Sequence, residues 1–501
     1  LADRLHPSPQ HVHHSIVHQT AGPPSDPSPR ATGLLAPRRK GAPPMTSRTT
    51  LSRSRTILAL LSVAALGFGV AACGSGAGDQ ANGKVTISIN GQPPKTQPFD
   101  RKIFDQDVAS FEASHPNIDL QPHEGFMDPK TFSAKLASGK LEDVFYVYLT
   151  DPAQLIARHQ AADITSYLPS VPHYQDVQSQ LRDVFSDGKG KYYGVPTANY
   201  TMGLLYNRAL FTKAGLDPNK PPKTWDEVRT AAKKIAALGN NTVGYADYSK
   251  NNQGGWHFTA WMYSMGGDVA VKSGDTWKSD FNNDKGRAVL NYLHQMRWDD
   301  NSMGSRQLLQ IEDVQRMMGA GQLGMYLSAP DNVPTLVNQF KGQYENYGLT
   351  AMPGAQGTLV GGEGYMLNPK ATPAKIKAGL AWLQWKYLNP DRIDTNLKRY
   401  VADKQPVGLP VSPVADIWTG SVRDKQEALK KQYATVPVQN YQPYVDGVST
   451  LKQNIEPPNA QQVYAVLDNV MQAVLTNKNA NPNQLLADAQ TKVDAIFAQA
   501  R

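Results

Sequence analysis

The chain has 501 residues, enough for two or more domains, with a formal net charge of +8 and a single cysteine. One cysteine excludes an internal disulfide framework and a Cys-rich metal centre. The positive charge does not mark a nucleic-acid surface: residues 1–72 hold eight Lys or Arg against Asp3 and Asp26, the remainder holds 43 basic and 41 acidic side chains, and no Lys/Arg cluster interleaved with aromatics follows.

Residues 1–44 are rich in Pro, His, Ser and Arg without apolar periodicity, and read as a disordered leader or as translation from too early a start. Met45 is the expected true beginning. Arg48, Arg53 and Arg55 form a basic segment, Ile57 to Val70 an almost uncharged apolar run, and Ala71 and Ala72 precede Cys73, so 45–72 has the layout of a secretory signal. Val70-Ala71-Ala72-Cys73-Gly74 resembles the bacterial lipobox, which implies acylation of Cys73 as the mature N-terminus and a lipid anchor on the outer face of the cell membrane. An uncleaved membrane span is the alternative, but the run falls short of the roughly 20 residues a span needs. Residues 73–83, rich in Gly, then form a flexible tether.

Lys84 to Asn90 alternates as a strand should. Phe104, Val108 and Phe111 place a helix over Phe99 to Ser114. A strand is expected at Asn117 to Gln121, a helix at Pro129 to Ser138 and a buried strand at Asp143 to Leu149. Strand, helix, strand in this order implies a parallel sheet, in which ligands sit at the carboxyl ends of strands. That draws attention to Glu124, Tyr148 and Asp151. Val195-Pro196 favours extended backbone, and Met202 to Tyr206 reads as a short buried strand. Thr224 and Glu227 form a capping box ahead of a helix whose Trp225, Val228, Ala231, Ala232, Ile235 and Leu238 recur at three- and four-residue steps until Gly239.

This stretch also carries a resemblance. Tyr193-Gly194-Val195-Pro196, Leu205-Tyr206-Asn207-Arg208, Leu210-Phe211, Ala214-Gly215-Leu216 and Pro222-Lys223-Thr224-Trp225-Asp226-Glu227 resemble the extracellular solute-binding proteins of bacterial ABC importers, the carbohydrate-binding family (family 1). The resemblance implies an α/β, two-lobed periplasmic-binding-protein-like fold of type II. Each lobe would be a mixed, mostly parallel sheet flanked by helices, with several crossovers between them. It places 84–198 plus 362–412 in an N-terminal lobe and 199–361 plus 413–501 in a C-terminal lobe.

Further along, Val243 to Tyr248 is expected as a strand and Trp256 to Met265 as an aromatic helix. Asp280, Asn282 and Asp284 have calcium-loop spacing, but Lys285 stands where the turn glycine belongs and Asn291 where the bidentate glutamate belongs, so the segment reads as a helix start. Gly319, Gly321 and Gly324 match Gly-x-Gly-x-x-Gly with a helix before and a strand (Leu323 to Leu327) after, the reverse of a dinucleotide site. Under the resemblance, Ser328 to Asp331 faces the cleft, Gly361-Gly362-Glu363-Gly364 is a second crossover and Gly408 to Pro413 a third. Thr372 and Pro373 start the apolar helix Ile376 to Leu388, and two amphipathic helices close the chain.

No nucleophile elbow, His-Glu-x-x-His or phosphate-binding Lys-Ser/Thr loop is present, and five of the histidines fall in the leader. Aromatic faces with carboxylates and amides suit a polyol, the rings stacking on the sugar and the polar groups taking its hydroxyls. The candidate ligand-binding residues are Glu124, Tyr148, Asp151, Tyr200, Trp256, Trp261, Ser328, Asp331, Glu363 and Tyr365. Against this, Trp256 and Trp261 suit a core, the carboxylates suit helix caps, and strand alternation offers Tyr148 an inward position. Relatives often place a tryptophan at the second crossover, where this chain has Glu363 and Tyr365. The resemblance implies a non-enzymatic monomer without cofactor or metal that captures a mono- or oligosaccharide and hands it to permease subunits. The alternatives are a lipid-anchored glycosidase using Asp151 and Glu363, or the same fold binding a polyamine or phosphate ester.

Overall fold

The computed structural model describes residues 80–81, 83–125, 129–274 and 276–499; the expected leader, signal segment and acylated Cys73 lie outside the described residues. The strands in chain order are β1 (Gln80–Ala81), β2 (Lys84–Gln92), β3 (Ile118–Glu124), β4 (Val144–Tyr148), β5 (Gly194–Thr201), β6 (Gly203–Asn207), β7 (Val243–Tyr245), β8 (Ala270–Ser273), β9 (Thr276–Ser279), β10 (Leu323–Ser328), β11 (Tyr347–Ala351), β12 (Gly357–Leu367) and β13 (Lys452–Ile455). Seven of them form one mixed sheet in the order β1-β2-β4-β12-β13, with β3 beside β2 and β5 beside β12. A four-stranded sheet has the order β11-β6-β10-β7, and β8 pairs with β9 as a separate ribbon.

Local sequence explains the elements. Alternation in β2 buries Ile87 and Ile89, and β2, β3 and β4 are parallel, as their connecting helices Pro98–Ser114 and Pro129–Ala137 require. The Thr224–Glu227 capping box starts the helix Trp225–Ala236, and Trp225, Val228, Ala231, Ala232 and Ile235 are buried along one face. Asn283 accepts from the Lys285 and Gly286 amides and caps the helix Asp284–His294, so the calcium-like spacing is indeed a helix start. β7 stops at Tyr245, short of the expected Tyr248, because only Val243 and Tyr245 find partners on β10.

Burial resolves into two cores. The first gathers Ile87, Phe111, Val144, Phe145, Trp382 and Leu397 around the seven-stranded sheet. The second gathers Leu204, Tyr245, Trp261, Leu327, Val463 and Met471 around the four-stranded sheet. Two long strands run between them: β5 contributes Val195 to the first core and Tyr200 to the second, and β12 contributes Leu359 to the second and Tyr365 to the first. A third passage lies between Val407, in the first core, and Leu409, in the second. Residues 413–433, expected with the second lobe, return to the first core through Ile417, Trp418, Val422, Leu429 and Tyr433. The Gln178 amide holds them there, donating to the Ile417 carbonyl at 2.9 Å.

The passage of β12 beside β5 depends on glycine. A Cβ on Gly361 would overlap the Tyr200 hydroxyl, one on Gly362 the Ala198 carbonyl, and one on Gly364 the Val195 carbonyl and the Phe185 ring. The register of the pair also shifts between Glu363 and Gly364, an irregularity of the kind that re-aims a side chain. Gly362→Ala is therefore expected to destabilise the chain by roughly 1–3 kcal/mol through overpacking, read as a lower urea midpoint.

Candidate functional site

The ends of strands from both sheets converge where β5 and β12 pass between the cores. On the first-lobe side Tyr148 closes β4 directly opposite Glu363 of β12. Past that strand end the chain turns into the helix Pro152–Ala157, and the Tyr148 amide donates to Asp151 Oδ2 at 2.9 Å. Two residues earlier on β4, on the same face as Tyr148, the Tyr146 hydroxyl donates to Glu363 Oε2. The Tyr146 and Tyr148 rings meet edge to face at 5.4 Å.

On the second-lobe side Tyr200 of β5 lies over Gly361 and meets Trp256 of the helix Gln253–Ser264 edge-on, with centroids 6.3 Å apart. Asp331 follows the carboxyl end of β10 and precedes the helix Asn332–Phe340 without capping it through its side chain. Glu456 follows the carboxyl end of β13, and the Tyr464 hydroxyl donates to its Oε1 at 3.1 Å. These groups share one field: the Tyr200 hydroxyl feels the charges of Glu456, Asp331 and Glu363, and Glu456 feels Asp151.

Burial dominates the electrostatics of the cluster, because taking a carboxylate out of water favours its neutral form. It pushes Asp151 up to about 6 against the opposing hydrogen bond from the Tyr148 amide. Asp331 rises to about 7 and Glu363 to about 7, each for the same reason and each only partly offset by hydrogen bonds. Glu456 rises to about 8, through burial and then the Asp151 charge, against the Tyr464 hydrogen bond. The Tyr148 phenol is pushed up to about 12 by burial and then by the Glu363 and Asp151 charges.

Of the ten residues singled out from sequence, the structure brings together Tyr148, Asp151, Tyr200, Trp256, Asp331 and Glu363. Trp261 is corrected to a core residue: it is fully buried, stacked on Trp225 at 3.7 Å and flanked by Tyr245 and Tyr292. Its helix is buried on nearly every side, so the aromatic run does not separate an outward ring from an inward one. Glu124 is exposed and paired with Arg101 at 3.3 Å. Ser328 is buried and its hydroxyl donates to the Ala329 carbonyl at 2.8 Å. Tyr365 is buried in the first core, its hydroxyl 3.0 Å from that of Tyr387 and its ring edge-on to Tyr146 at 5.6 Å; it supports the wall rather than lining it. Sequence reasoning missed Tyr146, Glu456 and Tyr464. Alternation in β4 would have placed Tyr146 with Tyr148. Glu456 follows Lys-Gln-Asn-Ile, a strand with almost no apolar pattern, so nothing local marks it as a strand-end residue.

The sequence profile of the family described as bacterial extracellular solute-binding protein matches residues 91–391. A protein of Brucella abortus (strain 2308) named as a binding protein is 25% identical over 436 residues, covering 83% of this chain and 93% of its own. Among solved structures, the cyclic alpha-maltosyl-1,6-maltose binding protein of Arthrobacter globiformis is similar with a TM-score of 0.63 and 22% identity, covering 83% of this chain and 100% of its own. UgpB of Mycobacterium tuberculosis, solved in complex with glycerophosphocholine, is similar with a TM-score of 0.65 and 14% identity, covering 84% and 99%. At these identities the two structures speak for the shared two-lobed fold alone.

The raised carboxyls carry a signed consequence for stability. A carboxyl whose value is higher folded than unfolded stabilises the folded chain below its unfolded value near 4 and loses that contribution as pH rises through its folded value. With the folded values lying between about 6 and about 8, the thermal midpoint of the unliganded protein is expected to fall by several degrees between about pH 5 and pH 8. The double variant Glu363→Gln with Glu456→Gln is expected to flatten that slope, as followed by calorimetry across the pH range.

Proposed function

The chain belongs to the bacterial extracellular solute-binding proteins, exported capture components of ABC importers, and from that membership we propose that it captures a mono- or oligosaccharide by closing its two lobes and presents it to the membrane permease. What supports this reading is one arrangement: Tyr148 and Glu363 from the first lobe, and Tyr200, Trp256 and Asp331 from the second, gathered at the strand ends where the two lobes meet. The rings supply faces for a sugar and the carboxyls supply acceptors for its hydroxyls. Binding then selects the closed form, because only there do both walls contact the same molecule. A phosphate ester, the alternative that a glycerophosphocholine-bound neighbour keeps in view, has less to recommend it, since among the described residues no Lys or Arg is paired with Asp151, Asp331, Glu363 or Glu456 to supply a counter-charge. We further propose that the protein acts as a monomer held to the outer face of the cell membrane by an acylated Cys73, and that residues 84–198 and 362–407, joined by 413–433, form one moving body.

A thermal-shift panel of sugars on the purified protein is expected to raise the midpoint with at least one mono- or oligosaccharide. A response confined to phosphate esters would overturn the sugar reading. For the sugar that responds, Trp256→Ala and Tyr148→Ala are each expected to weaken binding about fivefold, from a ring contact worth roughly 1 kcal/mol. Cys73→Ser is expected to move the protein from the membrane fraction to the medium, as seen by immunoblot of fractionated cells. Retention on the membrane would count against the anchor.

A further inference from the structure

Several buried carboxylates of this chain are held by cations, and the four at the lobe junction are not; Asp468, 7% exposed, also lacks an ion pair, but both its oxygens are satisfied by the Asn252 and Gly254 amides and the Gln472 side chain. Asp107, 5% exposed, lies 2.8 Å from Lys386, 2.9 Å from Arg392 and 3.0 Å from Arg399. Asp143 meets Lys375 at 3.1 Å, and Glu142 meets Lys135 at 3.1 Å. Such pairing is the ordinary way to keep a carboxylate charged away from water. Asp151, Asp331, Glu363 and Glu456 have hydrogen-bond donors only from amides and hydroxyls, and among the described residues none of them forms an ion pair. Asp331 goes further: only 8% of it is exposed, and its Oδ1 is buried with no hydrogen-bond partner. Asp331 acts on the Tyr200 hydroxyl together with Glu456 and Glu363, which places this residue in the same region as those two.

Resting on the reading of this cleft as a sugar site, we infer that the solute carries a positively charged nitrogen, making the substrate class an aminated sugar or oligosaccharide. An ammonium group supplies both things that the junction lacks: a counter-charge for the carboxylates and a donor for Asp331 Oδ1. The rings of Tyr148, Tyr200 and Trp256 beside the carboxylates add the faces on which a cation is also favoured. The carboxylates are held on four separate segments, and among the described residues no three acidic, His or Cys side chains are arranged to hold a metal ion. The arrangement therefore suits a cation built into an extended molecule rather than a bare ion. The raised protonation of these acids in the unliganded chain points the same way, because a bound cation favours their ionised form and reverses the effect of burial.

The test compares glucosamine oligosaccharides with their N-acetylated counterparts, which keep the frame and remove the charge, by titration calorimetry on the full-length protein at pH 7 and low salt. The amine form is expected to bind at least tenfold more tightly, which is about 1.4 kcal/mol, with the difference shrinking as salt is added. In Asp331→Asn and in Glu456→Gln the amine-to-acetyl ratio is expected to fall about tenfold, with circular dichroism showing each variant folded. Equal or tighter binding of the N-acetylated form overturns the inference and leaves sugar capture standing. A ratio unchanged in both variants overturns it as well, since the charge preference would then come from elsewhere. Binding of neither form, with a neutral sugar binding instead, overturns the inference alone; no response to any sugar takes the sugar reading down with it.

Discussion

The antiparallel pairing of β12 with β5 is the constraint on which the rest of the molecule depends. Seven register partners from Val360 to Met366 tie the two strands together while each passes from one core to the other. Backbone approach this close leaves no room for side chains at Gly361, Gly362 and Gly364, so the Gly-Gly-Glu-Gly segment spends three of its four positions on making the passage. The fourth, Glu363, is what the passage presents. The unbroken β12–β4 register sets Glu363 opposite Tyr148, and its carboxyl accepts from the Tyr146 hydroxyl. Two packed cores joined by glycine-bearing strands are the arrangement on which the proposed lobe closure relies.

The same geometry explains the charge pattern. Strand ends from both sheets deliver acidic residues to the junction, and the aromatic rings around them keep water away, so the cost of ionisation rises at four points together. Asp107 is as inaccessible, yet Lys386 and Arg399 hold its carboxyl low against the opposing effect of burial. An interior charge network built for stability and a set of carboxylates left without counter-charge are different arrangements of the same residue type. The second is what a binding surface requires, since contacts already satisfied within the chain have nothing to offer a solute.

Much of the architecture was legible because it is local. The Thr224–Glu227 box, the glycine that follows its helix, the Thr372 cap and the two closing helices are written in residues three or four apart, and their interactions form within one turn. The reversed order of helix and strand around Gly319 to Gly324 was equally readable. The site was legible only in part. Strand ends can be located from pattern, which is how Tyr148 and Asp151 came to notice, while the family resemblance pointed to Asp331. Whether the side chain there faces the junction, as Tyr148 does, or a neighbouring arginine, as Glu124 does, depends on residues far along the chain.

By itself the sequence determined the capped and periodic helices and the first alternating strands, since backbone preference, capping and periodicity act over a few residues, while the glycine-marked crossings were implied by the family resemblance. Only the tertiary structure decided that Trp256 meets Tyr200 while Trp261, five residues on, stacks on Trp225, both tryptophans being buried in the second core. It alone brought Glu456 from a strand with no apolar pattern into the field of Asp151, and it alone returned residues 413–433 to the first core. The physical reason is common to all three: burial and electrostatic coupling are set by distance in space, and the groups that set them here lie tens to hundreds of residues apart in the chain.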